Sequence, residues 1–562
     1  MYQNITVHSS YTPNLEDEPV VEERTFPNFD SLKDCISTGI NFNYVKIINQ
    51  NLPVLHKNFL TGLKIKKLVI EGCGITHIEA GVFAATDTNF INLTKNKLQG
   101  ISKGVFNDLP LKTLYLDGNE IEYIEEGAFL NTKLINLSLR RNKLQTVKTG
   151  VLSPINGYVD LSENQIADIE ANAFNNSSLS SLVLSRNNLT TIKKYSFSNL
   201  CVGYLDLSYN KITYIEENAL EPIANIYGVN LESNELKNYY VFNNFPLYSI
   251  NLNNNNISKL ERGCFKKVSL LYLSDNTIDA IEDYTFENLS LKRLDLSMNQ
   301  ISHLGAYSFK GVKNLEVLEL TGNRIKSIEI DTFKNLNIRQ LYLGRNQIKI
   351  LEPGTFTETN VLELFLDNNN ITDINKGIFQ SSKLNLLILN NNNIKYIEPG
   401  SFDELSEIKV IDLSRNKLDD IKKRTFSSLP FERLNFQENE IVHIDEGAFE
   451  NLSCLTDLNL GKNKLKKINQ GVFCNLEKLF VLYLEDNIVE SIDPHAFKNL
   501  PKLQYLLLQN NHLAIVTENM FCKLPESLNL NLEYNGNVSV SPGLYEKFPS
   551  VKENFLNDNP QN

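Results

Sequence analysis

The residues of this chain that could do chemistry are its seven histidines, its seven cysteines and its many carboxylates. The histidines do not occur in the HExxH spacing of zinc enzymes, and the cysteines show no zinc-binding spacing. The carboxylates recur at turns along the whole chain, so no catalytic pair stands out. GxSxG, phosphate-binding glycine loops and calcium-binding loops do not occur either. The sequence therefore predicts a protein that is not an enzyme and holds no cofactor or metal.

The chain is organised by a repeating frame. In residues 341–362, apolar residues lie five and three positions before Asn346 and two, five and ten positions after it. This spacing fits neither a helix nor a long alternating strand, and it describes one short strand followed by a return loop. An asparagine recurs in this frame 20 times, mostly 23 or 24 residues apart, and Cys73 and Gln50 extend the series to 22 repeats. Such a period predicts a solenoid.

Each position of the frame has a structural role. Leu341 and Leu343 are typical of a pair that points inward from a parallel strand, so that stacked strands build one continuous core. The asparagine is expected to be buried at the following turn, where its amide can donate and accept hydrogen bonds of the backbone. A phenylalanine ten positions after most of these asparagines fills the outer side of each coil. Representative asparagines of this ladder are Asn119, Asn210, Asn299, Asn346, Asn392, Asn439 and Asn463.

The repeats resemble typical leucine-rich repeats. Residues 111–134, LKTLYLDGNEIEYIEEGAFLNTKL, follow the pattern LxxLxLxxNxIxxIxxGxFxxL, and the match runs from Val45 to about Tyr545. The resemblance implies an α/β leucine-rich repeat solenoid of horseshoe shape. Its concave face is a parallel β-sheet of about 22 short strands, and its convex side is mostly loops and short helical turns. The opening repeats are similar to those of insect extracellular members, which include leucine-rich immune proteins, Toll ectodomains and chaoptin-like adhesion proteins.

Four segments are predicted. Residues 1–34 form a flexible N-terminal tail, residues 35–63 a cap and the first repeat, residues 64–548 the repeat array, and residues 549–562 the start of a truncated repeat or C-terminal cap. No signal peptide is visible, and no apolar run reaches the ~20 residues of a membrane span. Taken alone, these absences predict a cytoplasmic chain. Because Asn559-Pro560 resembles the start of the C-terminal cap of extracellular members, we instead expect a fragment of an extracellular or cell-surface protein.

Cysteines and glycosylation sequons leave the compartment open. Cys454 and Cys474 lie in neighbouring repeats and are a candidate disulfide, although the sequence favours two free thiols. Of eleven Asn-x-Ser/Thr sequons, six lie just after the ladder position or on the outer side of a coil, where a glycan is exposed to solvent. These candidate glycosylation sites are Asn176, Asn188, Asn256, Asn288, Asn370 and Asn451.

The exposed positions of the strands indicate where a partner binds. Most carry Asp, Asn, Ser or Glu, but apolar residues replace these in two groups. The first group is Tyr342, Phe365, Leu386, Ile388 and Val410, and the second is Val481, Tyr483, Tyr505 and Leu507. Contiguous exposed aromatic residues are candidate anchors for a protein partner. The alternative is that parallel strands simply favour β-branched and aromatic residues.

A net charge of −12 argues against nucleic acid as a partner, since phosphates require a basic surface. The resemblance to insect extracellular members implies a secreted glycoprotein of insect innate immunity that binds a protein on its concave face. A dimer partner is a further candidate. Two alternatives stay open, a cell-surface receptor or adhesion ectodomain and an intracellular scaffold or inhibitor.

Overall fold

The chain divides into two compact units, Met1–Ile257 (unit 1) and Ser258–Asn562 (unit 2). Both are seen in a computed structural model. The described residues are 5–9, 22–26, 42–84, 86–152, 154–220, 223–243, 245–265, 267–380, 383–521, 523–536, 538–549 and 551.

Ten parallel strands form the sheet in the described part of unit 1. Neighbouring strands pair in register, so that Leu114 lies opposite Leu137 and both point into the core. The strands are Phe42–Ile48, Ile65–Glu71, Phe90–Asn92, Thr113–Tyr115, Asn136–Ser138, Asn156–Asp160, Ser178–Val183, Cys201–Asp206, Gly228–Asn230 and Ser249–Asn251.

Two further strands lie where the sequence predicts a flexible tail. Ile5–Ser9 pairs antiparallel with Phe42–Ile48 on one side and with Glu22–Phe26 on the other. Isoleucine, threonine and valine in Ile5–Ser9 favour extended backbone, although the polar composition of residues 1–34 conceals this preference. The antiparallel strand covers the backbone edge that the first parallel strand would otherwise expose.

Twelve parallel strands form the sheet in the described part of unit 2. They are Leu270–Tyr272, Arg293–Asp295, Val317–Glu319, Gln340–Tyr342, Glu363–Phe365, Leu386–Ile388, Val410–Asp412, Arg433–Asn435, Asp457–Asn459, Val481–Tyr483, Tyr505–Leu507 and Asn529–Asn531. With the ten of unit 1 they confirm the predicted solenoid of about 22 short parallel strands.

The return side of the described coils carries two-residue strands that pair in twos. In unit 1 they are Val54–Leu55, His77–Ile78, Gly100–Ile101, Tyr123–Ile124, Thr146–Val147, Asp168–Ile169, Thr191–Ile192 and Tyr214–Ile215. In unit 2 they are Ala280–Ile281, His303–Leu304, Asp373–Ile374, Tyr396–Ile397, Asp420–Ile421, His443–Ile444, Lys467–Ile468, Ser491–Ile492, Ile515–Val516 and Ser539–Val540. The helices among the described residues are the short 3₁₀ helices Tyr240–Phe242 and Glu518–Phe521 and the α-helix Pro542–Lys547.

Two columns of side chains hold the coils together. The ladder asparagines are buried, and their amides connect neighbouring coils. Asn369, for example, accepts a hydrogen bond from the N–H of Ile348 at 3.0 Å and donates to the carbonyls of Leu343 at 2.9 Å and Leu366 at 3.1 Å. On the outer side the phenylalanine rings stack, with centroids 5.5–6.3 Å apart along consecutive coils. The exposed face of each sheet is thereby fixed in position.

Candidate protein-binding surface

The first apolar group predicted from the sequence comes together on the exposed face of the unit 2 sheet. Tyr342, Phe365 and Ile388 lie opposite one another on consecutive strands, and Leu386 lies opposite Val410. The rings of Tyr342 and Phe365 stack with centroids 4.3 Å apart and an interplanar angle of 8°. All five side chains are half-buried, which leaves part of each open to solvent. We call these five residues the aromatic patch.

Carboxylates border the aromatic patch. Glu319 lies opposite Tyr342 and accepts a hydrogen bond from Arg293 Nη2 at 3.0 Å. Burial raises the pKa of Glu319 although that arginine opposes the shift. Burial also raises the pKa of the Tyr342 hydroxyl, and the negative charges of Glu319 and Glu363 add to the effect. Glu363 itself accepts a hydrogen bond from Gln340 Nε2 at 2.8 Å. The stacked rings therefore lie in a negative electrostatic field.

This negative character extends along the exposed face of unit 2. Acidic side chains on the described strands, or two residues after them, are Asp295, Glu319, Glu363, Asp367, Asp412, Asp457, Glu485 and Glu533. The basic side chains at the same positions are Arg293 and Arg433. A cationic partner would be attracted to this face.

In the second predicted apolar group, the side chain of Val481 is not exposed as the sequence predicts. Tyr505 is 41% exposed, but Val481, which lies opposite it, is only 9% exposed. The ring of Phe480, which directly precedes Val481, meets that of Tyr505 edge to face at 5.6 Å and is 39% exposed. Phe480, not Val481, therefore presents the apolar surface beside Tyr505. Tyr483 and Leu507, opposite each other, are half-buried.

The sequence interpretation missed an exposed tyrosine cluster in unit 1. Tyr227 and Tyr248 stack with centroids 4.5 Å apart, and Tyr227 is 56% exposed. Tyr204 lies on the preceding strand, with its ring against Gly228, where a Cβ would be 3.2 Å from the tyrosine Cδ2. Tyr227, Tyr248 and Phe480 all lie seven positions before a ladder asparagine. That shared position is the signal that could have found them.

The candidate disulfide is not formed, because Cys454 and Cys474 are both free. The two cysteines are 20 residues apart, whereas equivalent positions of stacked coils are 23 or 24 apart, so they do not lie above one another. The Sγ of Cys474 instead donates a hydrogen bond to the carbonyl of His495 at 3.6 Å.

Five of the six candidate glycosylation sites have exposed asparagines: Asn176, Asn256, Asn288, Asn370 and Asn451. Asn188 is half-buried and accepts a hydrogen bond from Lys211 Nζ at 3.2 Å. Within the described ranges, no three histidine, cysteine or carboxylate side chains come together as metal ligands. A helix long and apolar enough to cross a membrane is likewise absent from the described residues.

Sequence profiles of known families match this repeat structure. The profile described as "BspA type Leucine rich repeat region (6 copies)" matches residues 157–272, 238–360, 279–409, 326–456 and 372–504, which together span more than half of the chain. The chain belongs to the leucine-rich repeat family. A second profile, "Leucine rich repeat", matches this leucine-rich repeat protein over residues 64–121 and 481–536.

Curated relatives match the leucine-rich repeat protein over short stretches. Leucine-rich repeat-containing protein 3B of Bos taurus is 36% identical over 90 residues, which are 16% of this chain and 35% of the relative. Podocan of Mus musculus is 33% identical over 142 residues, 23% of this chain and 22% of podocan. The chain thus spans about a third or less of the length of these relatives.

Among solved structures, the glycosylated Toll–Spatzle complex, described as a hub in Drosophila development and innate immunity, has the same fold. Its TM-score is 0.50 at 16% identity, over 87% of this chain and 84% of the other.

Proposed function

We propose that this leucine-rich repeat protein is a non-enzymatic recognition protein that binds a protein partner on the exposed face of the unit 2 sheet. The observation that carries the proposal is the aromatic patch, where stacked Tyr342 and Phe365 continue into aliphatic side chains. Half-exposed aromatic rings held in place by neighbouring strands lose little conformational entropy on binding. Such residues are typical anchors of protein interfaces.

The border of the aromatic patch specifies the chemistry of the partner. Glu319 and Glu363 flank the rings, and Asp412 lies opposite Ile388. An arginine of a partner could stack on the ring of Phe365 and pair with a carboxylate at the same time. The partner segment we propose therefore combines arginine or lysine with apolar side chains.

We also place the protein outside the cell, in insect innate immunity. Support comes from the similarity of the opening repeats to insect extracellular leucine-rich repeat proteins, and from the fold shared with Toll, which binds Spatzle in the solved complex. A cell-surface receptor or adhesion ectodomain would use the same face.

The test uses peptide arrays in which arginine, lysine and apolar content vary independently. The purified chain is expected to prefer peptides that are both basic and apolar. Phe365→Asp should weaken the best peptide about 30-fold, equivalent to the roughly 2 kcal/mol of an interface hot spot. Tyr272→Asp is the matched control, because Tyr272 has the same position in its repeat four strands earlier, outside the aromatic patch. Equal weakening by both substitutions, or a preference for acidic peptides, would contradict the proposal.

A further inference from the structure

Unit 1 contains a pocket that is separate from the exposed face of the sheet. Its volume is about 360 Å³. The inner wall is apolar and includes Ile124, Leu144, Val147, Leu152 and Leu161. Polar side chains, among them those of Thr146 and Lys148, line the rim.

An interruption of the phenylalanine column explains the space. Leu152 is ten positions after Asn142, where the neighbouring coils have Phe129 and Phe174. The rings stack on both sides of the interruption, Phe129 with the coil before it at 6.3 Å and Phe174 with the coil after it at 6.0 Å. Leu152 is buried but lacks a ring, so the coil has less side-chain volume at this position than its neighbours.

The position of Tyr123 keeps the mouth of the pocket open. Its ring lies over Gly100 of the preceding coil, where a Cβ would come within 2.2 Å of the ring. The strand Tyr123–Ile124 pairs with Gly100–Ile101, whereas Thr146–Val147 pairs with Asp168–Ile169. Each of the two strands beside the pocket therefore pairs with a strand on the side away from the pocket, and the pocket opens between them.

From these features we propose that the pocket binds a flat aromatic molecule of the size of phenol or indole. The guest ring takes the place of the missing phenylalanine ring, and its polar group is hydrogen-bonded at the rim. Apolar cavities of about 150 Å³ already accept benzene, so a volume of this size is sufficient for one ring system. This inference does not depend on the proposed partner of unit 2.

Indole is a suitable probe because the chain has no tryptophan, so that indole excited at wavelengths beyond the absorption of the 23 tyrosines can be read without protein background. On titration of the full chain into indole, we expect a saturable blue shift of the emission as the ring leaves water. The melting temperature of the protein should rise with indole concentration to a plateau, since the guest binds the native state. A shift that does not saturate, or no shift, would overturn the proposal.

Three variants locate the site. Leu152→Phe fills the pocket with the missing ring, so it should raise the melting temperature without indole and abolish the indole response. Gly100→Ala forces Tyr123 off the preceding coil towards the mouth and should weaken indole binding, which keeps the test decisive if Leu152→Phe does not fold. Leu220→Phe is the matched control, because Leu220 is the leucine at the same position of the coil of Asn210. Leu220→Phe should keep the full response to indole. Loss of the indole response in Leu220→Phe, or a persistent response in Leu152→Phe, would refute the assignment of the site.

Discussion

Replacing Asn346 with leucine tests the ladder that connects the coils. The Oδ1 of Asn346 accepts a hydrogen bond from the N–H of Ile325 at 3.1 Å. Its Nδ2 donates to the carbonyls of Leu320, Leu343 and Gly344 at 2.9, 3.0 and 3.2 Å. Leucine has a similar size but can replace none of these four contacts.

The substitution does not affect equally the four backbone groups that Asn346 contacts, because they do not all lose their last hydrogen-bond partner. Each carbonyl keeps a second donor, from the side chains of Asn323 and Asn369 for the first two and from the N–H of Gly322 for the third. The N–H of Ile325 loses the acceptor that the structure gives it. An unpaired buried donor costs about 1–3 kcal/mol, and the weakened carbonyls bring the expected cost to about 3 kcal/mol.

Hydrogen exchange of the backbone amides measures this cost locally, which suits a repeat array in which each coil contacts mainly its neighbours. About 3 kcal/mol corresponds to roughly 100-fold faster exchange in residues 317–348. Asn370→Leu is the matched control, because Asn370 is exposed and the same substitution there should change exchange little. Unchanged exchange in Asn346→Leu, or equal acceleration in both variants, would refute the ladder reasoning.

Three further predictions concern the core, a buried carboxyl and a sequon. Phe356→Ala removes a ring stacked between Phe333 and Phe379 and should cost about 3–5 kcal/mol, seen as faster amide exchange in these coils; wild-type rates would contradict it. Burial is the main reason why the pKa of Asp117 is raised, so its native state holds the proton to higher pH than its unfolded state. The stability of the wild type relative to Asp117→Asn should therefore increase as pH falls from neutral towards the ordinary aspartate pKa of about 3.9, in urea unfolding at a series of pH values. A constant difference would mean that Asp117 titrates normally. In cells that secrete the chain, Asn370→Gln should remove one glycosidase-sensitive increment of mass, and an unchanged mass would show that this sequon is not used.

The repeated columns could be predicted from the sequence because each depends on a fixed position within one coil. Asn346 and Phe356 recur at constant offsets, so every repeat provides the same information again. The exposed residues lack this redundancy. The position of Phe480, seven residues before a ladder asparagine, could have marked it as exposed, but its contact with Tyr505 of the next coil cannot be read from the pattern of one coil.

Other features could not be predicted from the sequence, because they depend on a glycine in a neighbouring coil or on pairing with a strand far along the chain. Tyr204 lies as it does because Gly228 on the next strand leaves room for its ring. The pocket beside Leu152 needs both the interrupted column and Tyr123 over Gly100, and only the first is visible in the sequence. The antiparallel strand Ile5–Ser9 has one of its two partners, Phe42–Ile48, more than 30 residues later, which local composition cannot indicate.

The ladder also makes the junctions between coils interchangeable. Because each amide bonds to its own coil and the preceding one in the same way, excision of residues 347–369 would bring Asn346 into register with the coil that now follows Asn369. Loss of a few residues would instead misplace every later asparagine. The length of such a chain can therefore change during evolution by whole periods, through gene duplication or deletion, without redesign of the core. Binding surfaces on different coils can move closer together or further apart by the same route.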